Sequence, residues 1–135
     1  MHHTKEKGDI GLLAVLLDLS LKGYKVFTSN SEHLPFDLIA YREGGIFLRI
    51  QVKYRKIRNG RIDITSRTSW ADKNGSHDKP YNKNELDYFA VYCPDNDKCY
   101  YIGINDFDKS FTLRFEDTRN NNITKIRFAK DYEEI

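Results

Sequence analysis

Apolar and polar residues follow two rhythms along this chain, one of helical and one of strand period. From Thr4 to Lys22 leucines recur without a proline, and Gly23 stands where a left-handed residue closes a helix. At about 100° per residue, Ile10, Leu13, Leu16 and Leu17 share one broad face, with Lys7, Asp18 and Lys22 clustered opposite. The pattern predicts an amphipathic helix. Lys25 to Ser29 reads as a short strand and Asn30 to Pro35 as a polar loop. Phe36 to Tyr41 and Ile46 to Lys56 read as strands joined by the turn signal Arg42-Glu43-Gly44-Gly45. Within the second, Ile46, Leu48, Ile50 and Val52 point to one face, and Phe47, Arg49, Gln51 and Lys53 to the other. Arg61 to Thr65 can extend the sheet. The polar stretch Ser66 to Lys83, with Trp70, Gly75, His77, Pro80 and Tyr81, reads as a long loop; such loops in compact domains are functional or partly disordered. Tyr88 to Cys93 and Cys99 to Ile104 form a strand pair around Pro94-Asp95-Asn96-Asp97. Phe107 onward mixes aromatic residues and charges, with a turn at Arg119-Asn120-Asn121-Asn122.

At 135 residues the expectation is one domain, 1–135, large enough for a real core. Apolar residues make up 39% and charged residues 31%, an ordinary soluble balance. No apolar run approaches the roughly 20 residues that span a bilayer, and no signal peptide is expected. There are no repeats or low-complexity tracts. Cys93 and Cys99 flank a turn and could face each other as thiols; two cysteines make neither a disulfide framework nor a zinc site, which points to a reducing, intracellular setting. The net charge of +2 hides an uneven distribution. Arg49, Lys53, Arg55, Lys56, Arg58 and Arg61 follow one another with no acid between them, a stripe suited to phosphate or, more plainly, to a solvated strand end.

Three polar residues in the hairpin carry candidate chemistry. Gln51 and Lys53, two apart on a strand, project together, and Asp37 lies on the neighbouring strand. A carboxylate and an amide oxygen can both ligate a hard cation such as Mg²⁺, which keeps several waters. An ammonium beside them can stabilise negative charge growing on phosphate. Together these are the minimum for metal-assisted phosphodiester hydrolysis. The plain alternative makes Asp37 a strand-edge residue and Gln51 and Lys53 the wet face of an amphipathic strand.

The order Lys22-Gly23-Tyr24-Lys25-Val26, Pro35-Phe36-Asp37, a Gly-rich hairpin and Gln51-Val52-Lys53 resembles the core of the PD-(D/E)XK nucleases over roughly Thr4 to Arg58. It is most similar to the branch with Gln in place of the usual Glu, which includes an intron-encoded homing endonuclease. The segment Glu85-Leu86-Asp87-Tyr88-Phe89-Ala90-Val91-Tyr92 is similar to that branch as well. The resemblance implies an α/β (α+β) core, a central mixed sheet flanked by helices. It also implies Asp37 as the central metal ligand, Gln51 as the second and Lys53 as the catalytic lysine.

Two features depart from the pattern. Where the superfamily often has a first-helix Glu, four residues after a Lys-Gly pair, this chain has Leu12 after Lys7-Gly8. Asp9, one turn earlier, is the candidate to replace it, although an acid in a first turn also suits the helix dipole. The second departure is the neutral Gln51, which removes a charge from the metal site; Glu32, in the loop before Asp37, is a further acid that could help or, more plainly, a solvated loop residue. Candidate DNA contacts are Arg55, Lys56, Arg58 and Arg61, then Arg67, Lys73 and Lys79. Trp70 and Tyr81 fit anchors of the core or loop, His77 an exposed imidazole, and His2 and His3 carry no assignment. The expected activity is a Mg²⁺-dependent (or Mn²⁺-dependent) endonuclease on double-stranded DNA, without a small-molecule cofactor. One site per small chain implies at least a homodimer for cutting both strands. A homing-type enzyme leads, followed by a Holliday junction resolvase and a restriction enzyme. A DNA-binding module that keeps the fold without activity is the alternative from another class.

Overall fold

A computed structural model describes residues 4–65, 67–80, 82–106, 110–115 and 127–135, leaving aside the side chains at 67–71 and 78–80. Tyr81, the Trp70 side chain, His2, His3 and the turn at Arg119 to Asn122 lie outside the described residues.

Helix α1 spans Thr4–Leu21. It ends on a Schellman motif: Gly23, at φ 93°, donates to Ser20 O at 3.1 Å, and Tyr24 N–H donates to Leu19 O at 3.0 Å. Strands β1 (Lys25–Thr28), β2 (Leu38–Arg42) and β3 (Ile46–Tyr54) follow as an antiparallel meander. Gly44 and Gly45, at φ 98° and 79°, supply the left-handed backbone that turns β2 into β3. Then come β4 (Arg61–Thr65), β5 (Arg67–Asp72), β6 (Gly75–Pro80), β7 (Tyr88–Cys93), β8 (Lys98–Gly103) and β9 (Ser110–Arg114).

The main sheet has the order β1-β2-β3-β7-β8, with β3 and β7 parallel and the other pairs antiparallel. It is therefore mixed. Helix α1 covers one face, where Val15, Leu19 and Tyr24 pack with Leu38, Ala40, Ile50, Ala90, Cys99 and Tyr101. The other face is covered over β7 and β8 by a second, two-stranded sheet of β4 and β9. There Phe89, Val91, Ile102, Ile62, Ile64, Phe111 and Leu113 form a second core. Fully burying one such side chain contributes about 1.5–3 kcal/mol, so these two layers dominate the stability of the fold.

Three expectations change here. The polar stretch from Ser66 is not a plain loop: β5 and β6 pair as a separate hairpin, closed by Gly75 at φ 113° and by Asn74 N–H donating to Asp72 Oδ1 at 2.7 Å. It escapes sequence reading because Thr68-Ser69 and Ser76-His77-Asp78 offer no apolar alternation. Cys93 and Cys99 do not face each other. Cys93 pairs with Lys98 and belongs to the β4–β9 side, whereas Cys99 pairs with Tyr92 and faces α1, as strand alternation dictates. Helix α1 is also rotated from the amphipathic expectation. Its buried line is Gly11, Val15 and Leu19, while Leu13 and Leu17 face outward. Gly11 lies directly against β3, where a Cβ would make ordinary contacts at 3.5 Å from Tyr54 Cβ and 3.6 Å from Val52 Cγ1.

Candidate active site

Asp37 stands one residue before β2 and extends its ladder, its N–H donating to Ile50 O at 2.9 Å. Its carboxylate turns back onto β3, where Oδ2 accepts the Val52 N–H at 2.8 Å. Burial raises the Asp37 pKa above the usual carboxylate value, against the opposing pull of the Val52 N–H and of the Lys53 charge. Lys53 answers from β3. Burial, and then repulsion from Arg55, push its ammonium pKa down to about 8, with Asp37 pulling the other way. Its Nζ lies 5.3 Å from the centroid of Phe89, a ring of the β4–β9 core. Gln51 is half-buried on the same strand, in register with Phe89, and makes no side-chain hydrogen bond among the described residues. The structure thus brings Asp37 and Lys53 into electrostatic contact and sets Gln51 beside Lys53 on the same strand.

Mg²⁺ needs oxygen donors but only one or two carboxylates, with waters and substrate oxygens completing its octahedron. Asp37 has a second oxygen beyond the one bonded to Val52, and the Gln51 amide oxygen is uncommitted among the described residues. The donor set therefore fits a hard divalent ion. It is sparse: among the described residues no three of His, Cys, Asp and Glu gather into a metal-binding group. Asp9 and Glu32 are both exposed. Asp9 sits on α1, which packs on the Leu48, Ile50 and Val52 face of β3, opposite to Gln51 and Lys53.

Arg49, the first member of the basic stripe, is committed elsewhere. Asp87 accepts from its N–H at 2.8 Å, from Nε at 3.0 Å and from Nη2 at 3.1 Å, and Nη1 donates to Asn84 O at 2.7 Å. This double hold lowers the Asp87 pKa. The rest of the stripe converges. Arg55, Lys56, Arg58 and Arg61 line an open cleft of about 380 Å³ together with Tyr54, Asp63 and Lys7. A tight turn at Asn59 and Gly60, both at positive φ, folds Arg58 onto Arg61. Arg61 Nε bonds Asp63 at 3.1 Å, so part of that charge is neutralised. Lys7 is the residue that strand reasoning missed, because only the packing of α1 on β3 carries it to the cleft. Lys73 sits at the β5–β6 turn, outside the cleft, and the side chains of Arg67 and Lys79 lie outside the described residues.

A mixed five-stranded sheet with a helix on one face defines the restriction-endonuclease-like fold. The family model described as PD-(D/E)XK endonuclease matches residues 2–135, and the chain belongs to that family. Among solved structures it is similar to the bacterial homing endonuclease I-Ssp6803I, with TM-score 0.76 and 23% identity over 97% of this chain and 88% of that one. It is also similar to Hjc, a Holliday junction resolvase from Archaeoglobus fulgidus, with TM-score 0.50 and 16% identity over 80% and 84% of the two chains. No curated protein matches the chain. At these identities the structural likenesses speak for the fold.

Proposed function

We propose that this protein is a divalent-metal-dependent DNA endonuclease, homing-type in its leading form, that hydrolyses phosphodiester bonds in double-stranded DNA. The supporting observation is the half-buried pair Asp37 and Lys53 on one hairpin, each drawn from its ordinary pKa chiefly by burial. Asp37, with the Gln51 amide beside it, would hold Mg²⁺ or Mn²⁺, which when bound supplies an acidified water and neutralises phosphate charge. With a pKa of about 8, Lys53 keeps its proton at neutral pH and places a positive charge where the phosphoryl oxygens gain negative charge. Water adds to phosphorus as the bond to the leaving sugar oxygen breaks, and that oxygen takes up a proton. The cleft of Lys7, Arg55, Lys56, Arg58 and Arg61 carries the backbone beyond the scissile phosphate.

The bacterial homing endonuclease among the similar structures favours the homing form, and the resolvase keeps junction resolution as the next candidate. The two free, buried thiols suit a reducing, intracellular setting, and no described helix is long and apolar enough to cross a membrane. Residues 1–135 act as one nuclease domain in this reading. The sparse ligand set favours a second reading, a DNA-binding module without activity. Supercoiled plasmid incubated with Mg²⁺ or Mn²⁺, against an EDTA control, separates the two. Metal-dependent nicking or linearisation supports the nuclease; retained plasmid binding with no cleavage supports the module.

A further inference from the structure

A second cleft, of about 390 Å³, opens between the start of β8, the end of β9 and the short helical turn Ala129–Tyr132. Lys98, Arg114 and Lys130 line it against one acid, Glu133, so three positive charges less one negative leave a net +2. Phe115 and Phe128, both half-buried, form its apolar wall. Lys98 Nζ is paired with Glu133 at 2.6 Å, and Lys130 Nζ lies 5.6 Å from the centroid of Phe128. Arg114 and Lys130 make no ion pair among the described residues.

This cleft adjoins the first. Arg61 stands directly opposite Arg114 in the antiparallel β4–β9 pair, so one basic residue of each cleft sits side by side, their Cβ atoms about 5 Å apart. Phe115 N–H donates to Gly60 O at 2.9 Å, which ties the wall of the second cleft to the Asn59–Gly60 turn of the first. Like charges placed opposite each other destabilise a strand pair. Asp63 bonds Arg61 and the Thr112 hydroxyl, so it offsets only one of the two guanidinium groups. An anion lying over both arginines removes that repulsion. Both clefts also open at the same end of the main sheet. Tyr54, Tyr92 and Cys99 are in register across β3, β7 and β8, which sets the chain at Arg55 and Lys98 about 10 Å apart at ~4.8 Å per strand. The acids of the intervening turn are bonded to protein donors: Asp95 accepts the Ile57 N–H at 2.7 Å and Asp97 the Tyr92 hydroxyl at 2.8 Å.

We propose that the second cleft binds the phosphate backbone of the same duplex as the first, so that one basic track runs from Lys7 and Arg55 across the Arg61–Arg114 pair to Lys130. This rests on the DNA-binding reading above, which the nuclease and the inactive module share. With one charge per ~3.4 Å on each strand, 10 Å is about three base pairs, so a single duplex reaches both clefts. A phosphate chain fits better than a small anion, because the three cations stand on three separate elements and do not converge on one point.

Fluorescence anisotropy on the full chain, with a labelled duplex of about 30 base pairs between ~50 and ~200 mM salt, tests the track. Each phosphate contact adds about 0.9 to the slope of log affinity against log salt. The double variant Arg114→Gln/Lys130→Gln should therefore lose about 2 from the slope and bind about 30-fold more weakly at ~0.15 M salt. Glu133→Gln supplies an arm that misfolding cannot imitate: it removes the acid of the cleft and frees Lys98, and should tighten binding about 5-fold. Lys25→Gln, which removes a charge from β1 at the far edge of the main sheet, should leave the slope as it is. An unchanged slope in the double variant, no gain in Glu133→Gln, or an equal loss in Lys25→Gln would each overturn the proposal, whether or not the parent cuts DNA. A parent that binds with the expected slopes but never cuts would leave the track standing and sink the nuclease reading alone.

Discussion

Replacing Asp87 by alanine should unfold the protein more easily by about 2 kcal/mol at pH 7, a figure that follows from its bonds. Strand β7 begins at Tyr88, so Arg49 N–H has no ladder partner; the Asp87 carboxylate supplies the acceptor, and Asp87 N–H returns a bond to Arg49 O at 2.9 Å. Losing the acceptor for a half-buried N–H costs about 1–2 kcal/mol. The guanidinium bonds are worth less, because the Arg49 and Asp87 side chains are 35% and 31% exposed; screening reduces them to about 0.5 kcal/mol together. For a chain of this size the loss corresponds to a fall in Tm of roughly 6–10 °C. Urea unfolding followed by circular dichroism at several pH values measures it. The sign with pH is fixed by the lowered Asp87 pKa: its stabilisation is fully present above the unfolded value of 3.8 and disappears as pH falls through the folded value. Parent and variant should therefore converge in acid. A difference below about 0.5 kcal/mol at pH 7, or one that stays constant down to pH 3, would rule out this role for Asp87.

Other perturbations probe the neighbouring links. Gly11→Ala should stabilise by up to about 1 kcal/mol, since its Cβ meets only ordinary contacts on β3, whereas Gly11→Leu should cost about 1–3 kcal/mol by lifting α1; thermal melts of both decide. Reversing the charges of Lys56 and Arg58 should weaken DNA binding and flatten its salt dependence; an unchanged slope of log affinity against log salt would move the DNA track out of the cleft. Gln51→Glu should lower, and Gln51→Leu raise, the half-saturating Mg²⁺ in a cleavage titration; identical values in all three proteins would remove Gln51 from the metal site.

The strands were legible wherever one face is apolar. Ile46, Leu48, Ile50 and Val52 announce β3, and Tyr88 to Cys93 announces β7, because alternation and buried runs reflect the packing itself. The β5–β6 hairpin was hidden because it has no such face. The rotation of α1 was hidden for the opposite reason: leucines on two sides give the pattern no direction, and only the contact of Gly11 with β3 settles it. Within the site, spacing alone could not separate two aspartates that both serve the edges of β3. Asp87 meets an arginine and is held in an ion pair, while Asp37 meets a backbone N–H and a half-buried lysine. The role of Arg49, likewise, depends on a residue 38 positions away.

Plasmid cleavage by the parent and by Asp37→Asn, with binding to the same DNA recorded in parallel, decides whether the β2–β3 hairpin is catalytic. Asparagine keeps an oxygen for the Val52 N–H and removes the charge beside Lys53, so the fold and DNA binding should persist. The parent should cleave in Mg²⁺ and stop in EDTA, and Asp37→Asn should bind with unchanged affinity and cut nothing. Equal cleavage rates for the two proteins in Mg²⁺ would contradict the metal-dependent nuclease reading.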